Sequence, residues 1–315
     1  MTEVTDLHVP VMLERCLELL RPAIAGKPAT VIDATLGLGG HTEALLREHP
    51  ELTVIGIDRD PVALELATDR LAVFADRFTP VLATYDQIDE ILSGRKVDGI
   101  LMDLGVSSMQ LDQADRGFSY AKDAYLDMRM DQTTGKTAAD LLAELDVSSL
   151  ARMFRSYGEE RFSLPIAKRI FQRRASFAIT NSSQLNQIVA EVVPVAPGKQ
   201  SGHPAKRVYQ ALRIAVNNEL GVLESAMPQA LDALVVGGRL VVMSYHSLED
   251  GIVKDAMQDA ATSKTPVDMP VELPGTAATF KILTRGVERA SERELEQNPR
   301  AASARLRAGE KLKGN

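Results

Sequence analysis

The feature that most constrains this chain is an alternation of strand-sized apolar runs with helix-patterned stretches through its first hundred residues. The runs are Thr30–Asp33, Thr53–Asp58, Phe78–Ala83 and Val97–Met102. Helical stretches separate them, from His41 to Arg47 and from Pro61, whose fixed φ suits a first turn, to about Phe74. Runs that are apolar throughout, spaced by helices, predict a parallel sheet covered on both faces, an α/β doubly wound domain. The alternation then stops. Residues 107–205 contain no convincing strand but several helices, among them Leu164–Arg174, with Ile166 and Ile170 opposite Lys168 and Arg169, and Ser182–Val193. The Pro/Gly-rich segment Pro194–Pro204 reads as a loop or linker. The α/β pattern resumes with a helix at Arg207–Leu220, a strand at Arg239–Tyr245 and a last strand near Thr279–Leu283. The expected organisation is a sheet domain in two parts, residues 1–106 and 206–315, interrupted by an all-helical insertion at 107–205.

A chain of 315 residues buries enough surface to need no metal or disulfide for stability. The single cysteine, Cys16, lies in an apolar helical pattern and reads as a small core residue in a reducing compartment. The first residues lack the basic and apolar regions of a signal peptide, and no apolar run approaches the length of a membrane helix. The expected location is the cytoplasm.

The net charge of −7 is unevenly spread. Residues 1–100 hold nine Lys/Arg against seventeen Asp/Glu, whereas Arg152–Arg174 hold seven bases against Glu159 and Glu160. Lys199–Arg213 adds four bases and no acid, and the tail from Arg300 carries five against Glu310. An acidic half beside basic segments suits a polyanionic substrate met by local patches. Ordinary solvated helix faces account for the same pattern about as well.

The turn after the first strand runs Asp33-Ala34-Thr35-Leu36-Gly37-Leu38-Gly39-Gly40-His41-Thr42. Glycines let backbone approach a ligand, and the helix start behind them favours a carboxylate or phosphate. A dinucleotide fingerprint wants a glycine five residues after Gly37, where this chain has Thr42. Asp33 at the strand end suits the ammonium group of an amino-acid-like ligand and would repel a pyrophosphate. Asp58 ends the second strand, where an acid accepts ribose hydroxyls, and Asp60 reads as the cap of the next helix. Adenosine joined to a methionine-like zwitterion, S-adenosylmethionine, satisfies both acids.

These residues and others further along resemble the RsmH/MraW family, bacterial enzymes that methylate the exocyclic N4 of a cytidine in small-subunit ribosomal RNA. The resemblance covers nearly the whole chain. It includes His8–Leu13, Asp33–His41, Gly56–Asp60, Met102–Ser108, Gln110–Asp112 and Arg116–Ser119. It continues through Gly158–Glu160, Gln210–Leu220, Ser244–Asp250 and Asn298–Arg300. Each block is short, but so many in one order are specific. The resemblance implies a Rossmann-like class I S-adenosylmethionine-dependent methyltransferase fold with the helical insertion after its fourth strand. Carried over by position, the family's cofactor contacts fall on Gly39, Gly40, His41, Asp58, Tyr85, Asp103 and Gln110; Asp33 and Gly37 join them from the loop reading. This chain departs from the usual pattern at Thr42 (serine), Tyr85 (phenylalanine), Met109 (proline), Tyr245 (phenylalanine), Gly251 (arginine) and Ala302 (arginine).

Methyl transfer to a cytosine amine is an in-line displacement in which alignment provides much of the acceleration. An acceptor for the amine hydrogen helps, and Asp103, in Asp103-Leu104-Gly105-Val106-Ser107-Ser108 after the fourth strand, is the first candidate; a strand-end acid capping the next turn is the plain alternative. His246, after the following strand, is a second candidate for proton transfer, although Ser247 and Asp250 together form a capping-box pattern. Tyr245 is placed to stack on an extracted base. Asn217 and Asn218 divide between hydrogen bonding and plain exposure, and Met128, Met130 and Met153 read as core. The expected RNA contacts are Lys168, Arg169, Arg173, Arg174, Lys206, Arg207, Arg300, Arg305 and Arg307, meeting the phosphates of ribosomal RNA in an assembled or nearly assembled small subunit. No metal or membrane partner is expected, and the oligomeric state stays open. Two other readings remain: an RNA-binding assembly factor with a vestigial cofactor pocket, and a nicotinamide-dependent oxidoreductase.

Overall fold

The computed structural model describes residues 10–194, 203–266, 269, 271 and 273–313; the centre of the expected linker, residues 195–202, lies outside them. The chain divides into two compact units. One is formed by the chain up to Gly105 and from Leu220 onward, the other by Val106–Glu219. No helix among the described residues is long and apolar enough to cross a membrane.

The first unit is built on a seven-stranded sheet: β1 (Ala29–Asp33), β2 (Leu52–Asp58), β3 (Phe78–Leu82), β4 (Val97–Asp103), β5 (Leu234–Ser244), β6 (Phe280–Ile282) and β7 (Arg305–Lys311). Their order is β3-β2-β1-β4-β5-β7-β6. The first five strands run parallel, and β7 is antiparallel to both β5 and β6. Helices of this unit are α1 (Leu13–Ile24), α2 (Gly40–Glu48), α3 (Pro61–Arg70) and α4 (Ile88–Leu92) before the insertion. The second unit carries α5 (Ser108–Asp112), α6 (Ala138–Glu144), α7 (Val147–Gly158), α8 (Ser163–Arg174), α9 (Ser182–Val192) and α10 (Lys206–Asn217). The first unit then resumes with α11 (Glu219–Ala233), α12 (Ser247–Ala260) and α13 (Glu292–Gln297).

The strands alternate their side chains between two buried faces, as the period of two requires. Val31, Leu101 and Val241 pack with Leu20 and Leu45 in one cluster. Ile32, Ile100 and Val242 pack with Leu223, Met227 and Val253 in the other. Cys16 is fully buried in the first cluster. Asp60 caps α3, its carboxylate accepting the Val62 N–H at 3.1 Å, with Pro61 at the first helical position. That helix ends at Arg70 and a 3₁₀ segment, Ala72–Arg77, carries the chain on to β3.

Two expectations need correction. The basic C-terminal segment is not a tail but the strand β7, in which Leu306 and Ala308 are fully buried and alternate with Arg305 and Arg307. Phe280 of β6 covers Gly309, where a Cβ would fall 2.0 Å from the ring, so the register needs a glycine there. The insertion, expected to end at residue 205, runs on through α10. Val208, Tyr209, Ala211 and Leu212 of that helix share an apolar cluster with Phe154, Ile166, Ile170 and Leu185.

The second unit contains a strained backbone position with a visible restraint. Met128 is fully buried with a φ of 62°, a region costly for a side chain with a Cβ. Asn217, at the end of α10, clasps it: its Oδ1 accepts the Met130 N–H at 2.8 Å and its Nδ2 donates to the Met128 carbonyl at 2.8 Å. Asn217 is thus neither exposed nor substrate-facing, and Asn218 takes the left-handed conformation that ends the helix. Asn217→Ala leaves both buried backbone groups without these partners and is expected to lower stability by about 2–4 kcal/mol. A urea melt checks this, and an unchanged midpoint would refute the clasp.

Candidate active site

The chain winds from β1 outward to β3 and then returns to place β4 on the other side of β1. Such a reversal, beyond the carboxyl ends of the strands, is the usual ligand position in sheets of this kind. Asp33, Asp58 and Asp103 are the last residues of three neighbouring strands, β1, β2 and β4.

The glycine turn is pinned from both sides. Asp58 Oδ2 accepts the Gly37 N–H at 2.8 Å, and its Oδ1 accepts the Asp60 N–H at 2.8 Å. Gly39 has a φ of 75°, and a Cβ on Gly40 would fall 2.6 Å from the Pro10 ring, so a left-handed backbone and a close side chain account for that glycine pair. The first intrahelical bond of α2 is donated by Glu43 to Gly39. The N–H groups of Gly40, His41 and Thr42 precede it, forming the electropositive helix start that a carboxylate seeks. The His41 ring itself turns inward, its Nε2 lying 3.1 Å from the Val11 carbonyl, and burial lowers its pKa while Asp33 opposes that. The imidazole is thus committed to the interior.

Asp33 is placed differently from the sequence expectation. Only 1% exposed, it accepts the Thr42 hydroxyl at 2.6 Å and the Thr35 N–H at 3.4 Å. It braces the glycine turn from behind instead of presenting its carboxylate to an ammonium group. Thr35 extends this brace, its hydroxyl accepting the Asp103 N–H at 2.6 Å. Thr42, the residue that breaks the dinucleotide fingerprint, is thereby part of the support.

Burial pushes the Asp58 carboxyl up to about 6, against the two backbone hydrogen bonds that stabilise its ionised form. Burial likewise pushes Asp103 up to about 7, with Tyr245 lowering it and Glu249 raising it. The Tyr245 hydroxyl donates to Asp103 Oδ1 at 2.7 Å. Asp33 is raised by burial too, and the repulsion of Asp103 adds to the rise. No Lys or Arg among the described residues forms an ion pair with any of the three. One buried and two half-buried acids without a cation suit a ligand that brings positive charge and hydroxyl donors, as a sulfonium nucleoside does.

The chain matches the MraW methylase family over residues 5–312. It belongs to that family. A relative from Saccharopolyspora erythraea, named ribosomal RNA small subunit methyltransferase H, is 58% identical over 98% of this chain and 94% of its own length. Relatives of the same name from Beutenbergia cavernae and Salinispora arenicola are 54% and 55% identical, over 98% and 99% of this chain and 93% and 85% of their own lengths. Membership in a methylase family removes the oxidoreductase reading. The sheet order is that of the class I S-adenosylmethionine-dependent methyltransferase fold.

Other residues singled out in the sequence take roles that it only half revealed. His246, 9% exposed, is the N-cap of α12. Its Nδ1 accepts the Glu249 N–H at 3.4 Å, and its Nε2 lies 3.2 Å from Glu249 Oε1. The capping box is therefore His246–Glu249, one residue before the expected Ser247–Asp250, and it commits the imidazole to the helix start. Glu249 was not anticipated; its carboxylate also accepts the Tyr245 N–H at 2.8 Å, fixing the turn that presents Tyr245. Tyr245 packs partly against the core, so it is placed as the partner of Asp103 and not as a free stacking surface. Tyr85 opens a 3₁₀ turn after β3 and packs on the second core cluster. Gln110 belongs to the second unit, where its Oε1 accepts the Ser107 N–H in a capping box.

The expected RNA contacts separate into two groups. Arg169 and Arg173 pair with Glu191, at 2.7 and 2.5 Å, and Arg174 donates to the Leu142 and Leu145 carbonyls at 2.8 and 2.6 Å. Arg307 forms a bidentate pair with Asp250 at 2.6 and 3.1 Å, with Arg305 3.8 Å from the same carboxylate. Those five are structural in place. Lys168, Lys206, Arg207 and Arg300 are exposed, although Arg207 also donates to the Glu159 carbonyl at 3.1 Å.

Proposed function

We propose that this chain transfers a methyl group from S-adenosylmethionine to the exocyclic N4 of a cytidine in the decoding region of small-subunit (16S) ribosomal RNA, in the cytoplasm. The observation that carries the reading is the pair Asp58 and Asp103 at the sheet's reversal point, two half-buried carboxylates without a cation in a member of a methylase family. Bound S-adenosylmethionine supplies an electrophilic methyl group. Asp58 would accept its ribose hydroxyls, the start of α2 would receive its methionine carboxylate, and Tyr85 would pack against its adenine. Asp103 accepts a hydrogen of the attacking amine, which turns the nitrogen lone pair towards the methyl group and gives the proton a destination. With a pKa near 7, Asp103 is partly ionised at neutral pH and suited to that exchange. The exposed cations Lys168, Lys206, Arg207 and Arg300 meet RNA phosphates, and the acceptor is the assembled or nearly assembled subunit.

Tritiated S-adenosylmethionine offered to small subunits from a strain lacking the gene, and separately to naked ribosomal RNA, tests both chemistry and acceptor. Label mapping to one cytidine supports the reading. Absence of label from every acceptor would leave an RNA-binding assembly factor instead. Tyr245 provides a finer check. Its hydroxyl stabilises ionised Asp103, so Tyr245→Phe raises the Asp103 pKa and moves the rising limb of the pH–rate profile upward by about one pH unit, with little loss of rate at high pH. A profile superimposable on that of the natural chain would show that this hydrogen bond does not govern the reacting group.

A further inference from the structure

We infer that the outward face of α8 is a stacking platform for unpaired RNA bases, with Phe171 and Phe177 as the rings and Lys168 as a phosphate contact. The helix buries Ile166, Ala167 and Ile170 in the core of the second unit. Its other side carries Leu164, Lys168 and Phe171 at positions i, i+4 and i+7, one stripe along the surface. Leu164 is 43% exposed and Phe171 45%, while Phe177, just past the helix end, is 42% exposed. The two half-exposed phenylalanines lie close together in the chain.

Each ring is held by an arginine. The Arg174 guanidinium lies 4.5 Å from the centroid of Phe171, and Arg173 lies 5.9 Å from that of Phe177. Neither arginine is loose: Arg174 is tied to the Leu142 and Leu145 carbonyls, and Arg173 to Glu191. The rings are thus pre-positioned, with a fixed cation beside each, which limits the ordering cost of binding. The charge identifies the occupant. Lys168, Arg169, Arg173 and Arg174 are four cations on a helix without an acid, and Glu191 is the carboxylate that pairs with two of them. A face that is aromatic and cationic together fits a polyanion with exposed π surfaces, which is single-stranded RNA; a neutral protein patch would gain nothing from the excess charge.

This rests on the RNA-methylating reading and adds the surface through which unpaired substrate is gripped. Phe171→Ala and Phe177→Ala should each weaken binding of a single-stranded RNA dodecamer roughly 5- to 150-fold, and Phe171→Tyr should restore it. Affinity for the same dodecamer annealed to its complement should change little, because its bases are already stacked. S-adenosylmethionine affinity and the thermal midpoint, read in parallel, should match the natural chain. Undiminished single-strand binding by both alanine variants, in a preparation whose natural chain binds RNA and methylates subunits, would overturn the platform and leave the enzymatic reading intact. Loss seen with assembled subunits but not with free RNA would also overturn it, showing that the face docks on protein. A natural chain that neither binds RNA nor methylates would instead strike at the functional reading itself.

Discussion

Asp103→Asn is expected to lower the single-turnover rate of methyl transfer by about 10²- to 10⁴-fold at saturating cofactor, the usual range for removing a positioned proton acceptor. The structure makes this substitution informative. The backbone of Asp103 is held by β4 and by the Thr35 hydroxyl, neither of which depends on the carboxylate. The asparagine is nearly isosteric and can still accept the Tyr245 hydroxyl, so the loss reports the missing charge and basicity. The pH dependence separates roles further. If Asp103 takes the proton, activity in the natural chain rises with pH and levels off above about 7, and the asparagine variant loses that limb. If Asp103 only holds the cofactor, the variant has a raised Kd for S-adenosylmethionine and a near-natural rate once saturated. A rate within a few-fold of the natural chain at saturation would remove Asp103 from the chemistry.

What was legible in the sequence follows from which interactions are local. The first four of the five parallel strands were readable because each is a continuous apolar run between turn residues, and the place of Asp58 at the end of β2 was readable with that strand. β7 was not, because its signal is a two-residue alternation, Leu306 and Ala308 between Arg305 and Arg307, easily taken for a basic tail. Only the sheet reveals that Asp250, 57 residues earlier, neutralises Arg307. The same holds for Arg169 and Arg173, which share the single charge of Glu191 from a different helix. Charge counts along a chain cannot see partners brought in by folding. Asp33 shows the converse error: its position was right, but a buried hydroxyl at Thr42 occupies the carboxylate. Glu249 had a findable signal. A glutamate three residues after His246 has a capping spacing as good as that of the Ser247–Asp250 pair.

Asp58→Ala is expected to weaken S-adenosylmethionine binding by about 3–6 kcal/mol, or roughly 10²- to 10⁴-fold in Kd, from two charge-assisted hydrogen bonds to the ribose. Part of that loss comes through the loop, since the same carboxylate holds the Gly37 and Asp60 N–H groups. Asp58→Asn distinguishes the parts: it keeps an acceptor for the loop but lacks the charge, so its loss should be the smaller of the two. The pH response has a definite sign. Burial raises the Asp58 pKa to about 6, above the value of the unfolded chain, so the ligand-free protein gains stability from this group in acid and loses it as pH rises through 6. A hydroxyl-bearing, cationic ligand prefers the ionised carboxylate, so its affinity should tighten by up to about tenfold per pH unit below 6 and level off above it. In Asp58→Ala that dependence should flatten. Calorimetric titrations between pH 5 and 8 read both quantities, and an alanine variant with natural affinity at pH 8 would mean that the nucleoside does not lie over the end of β2.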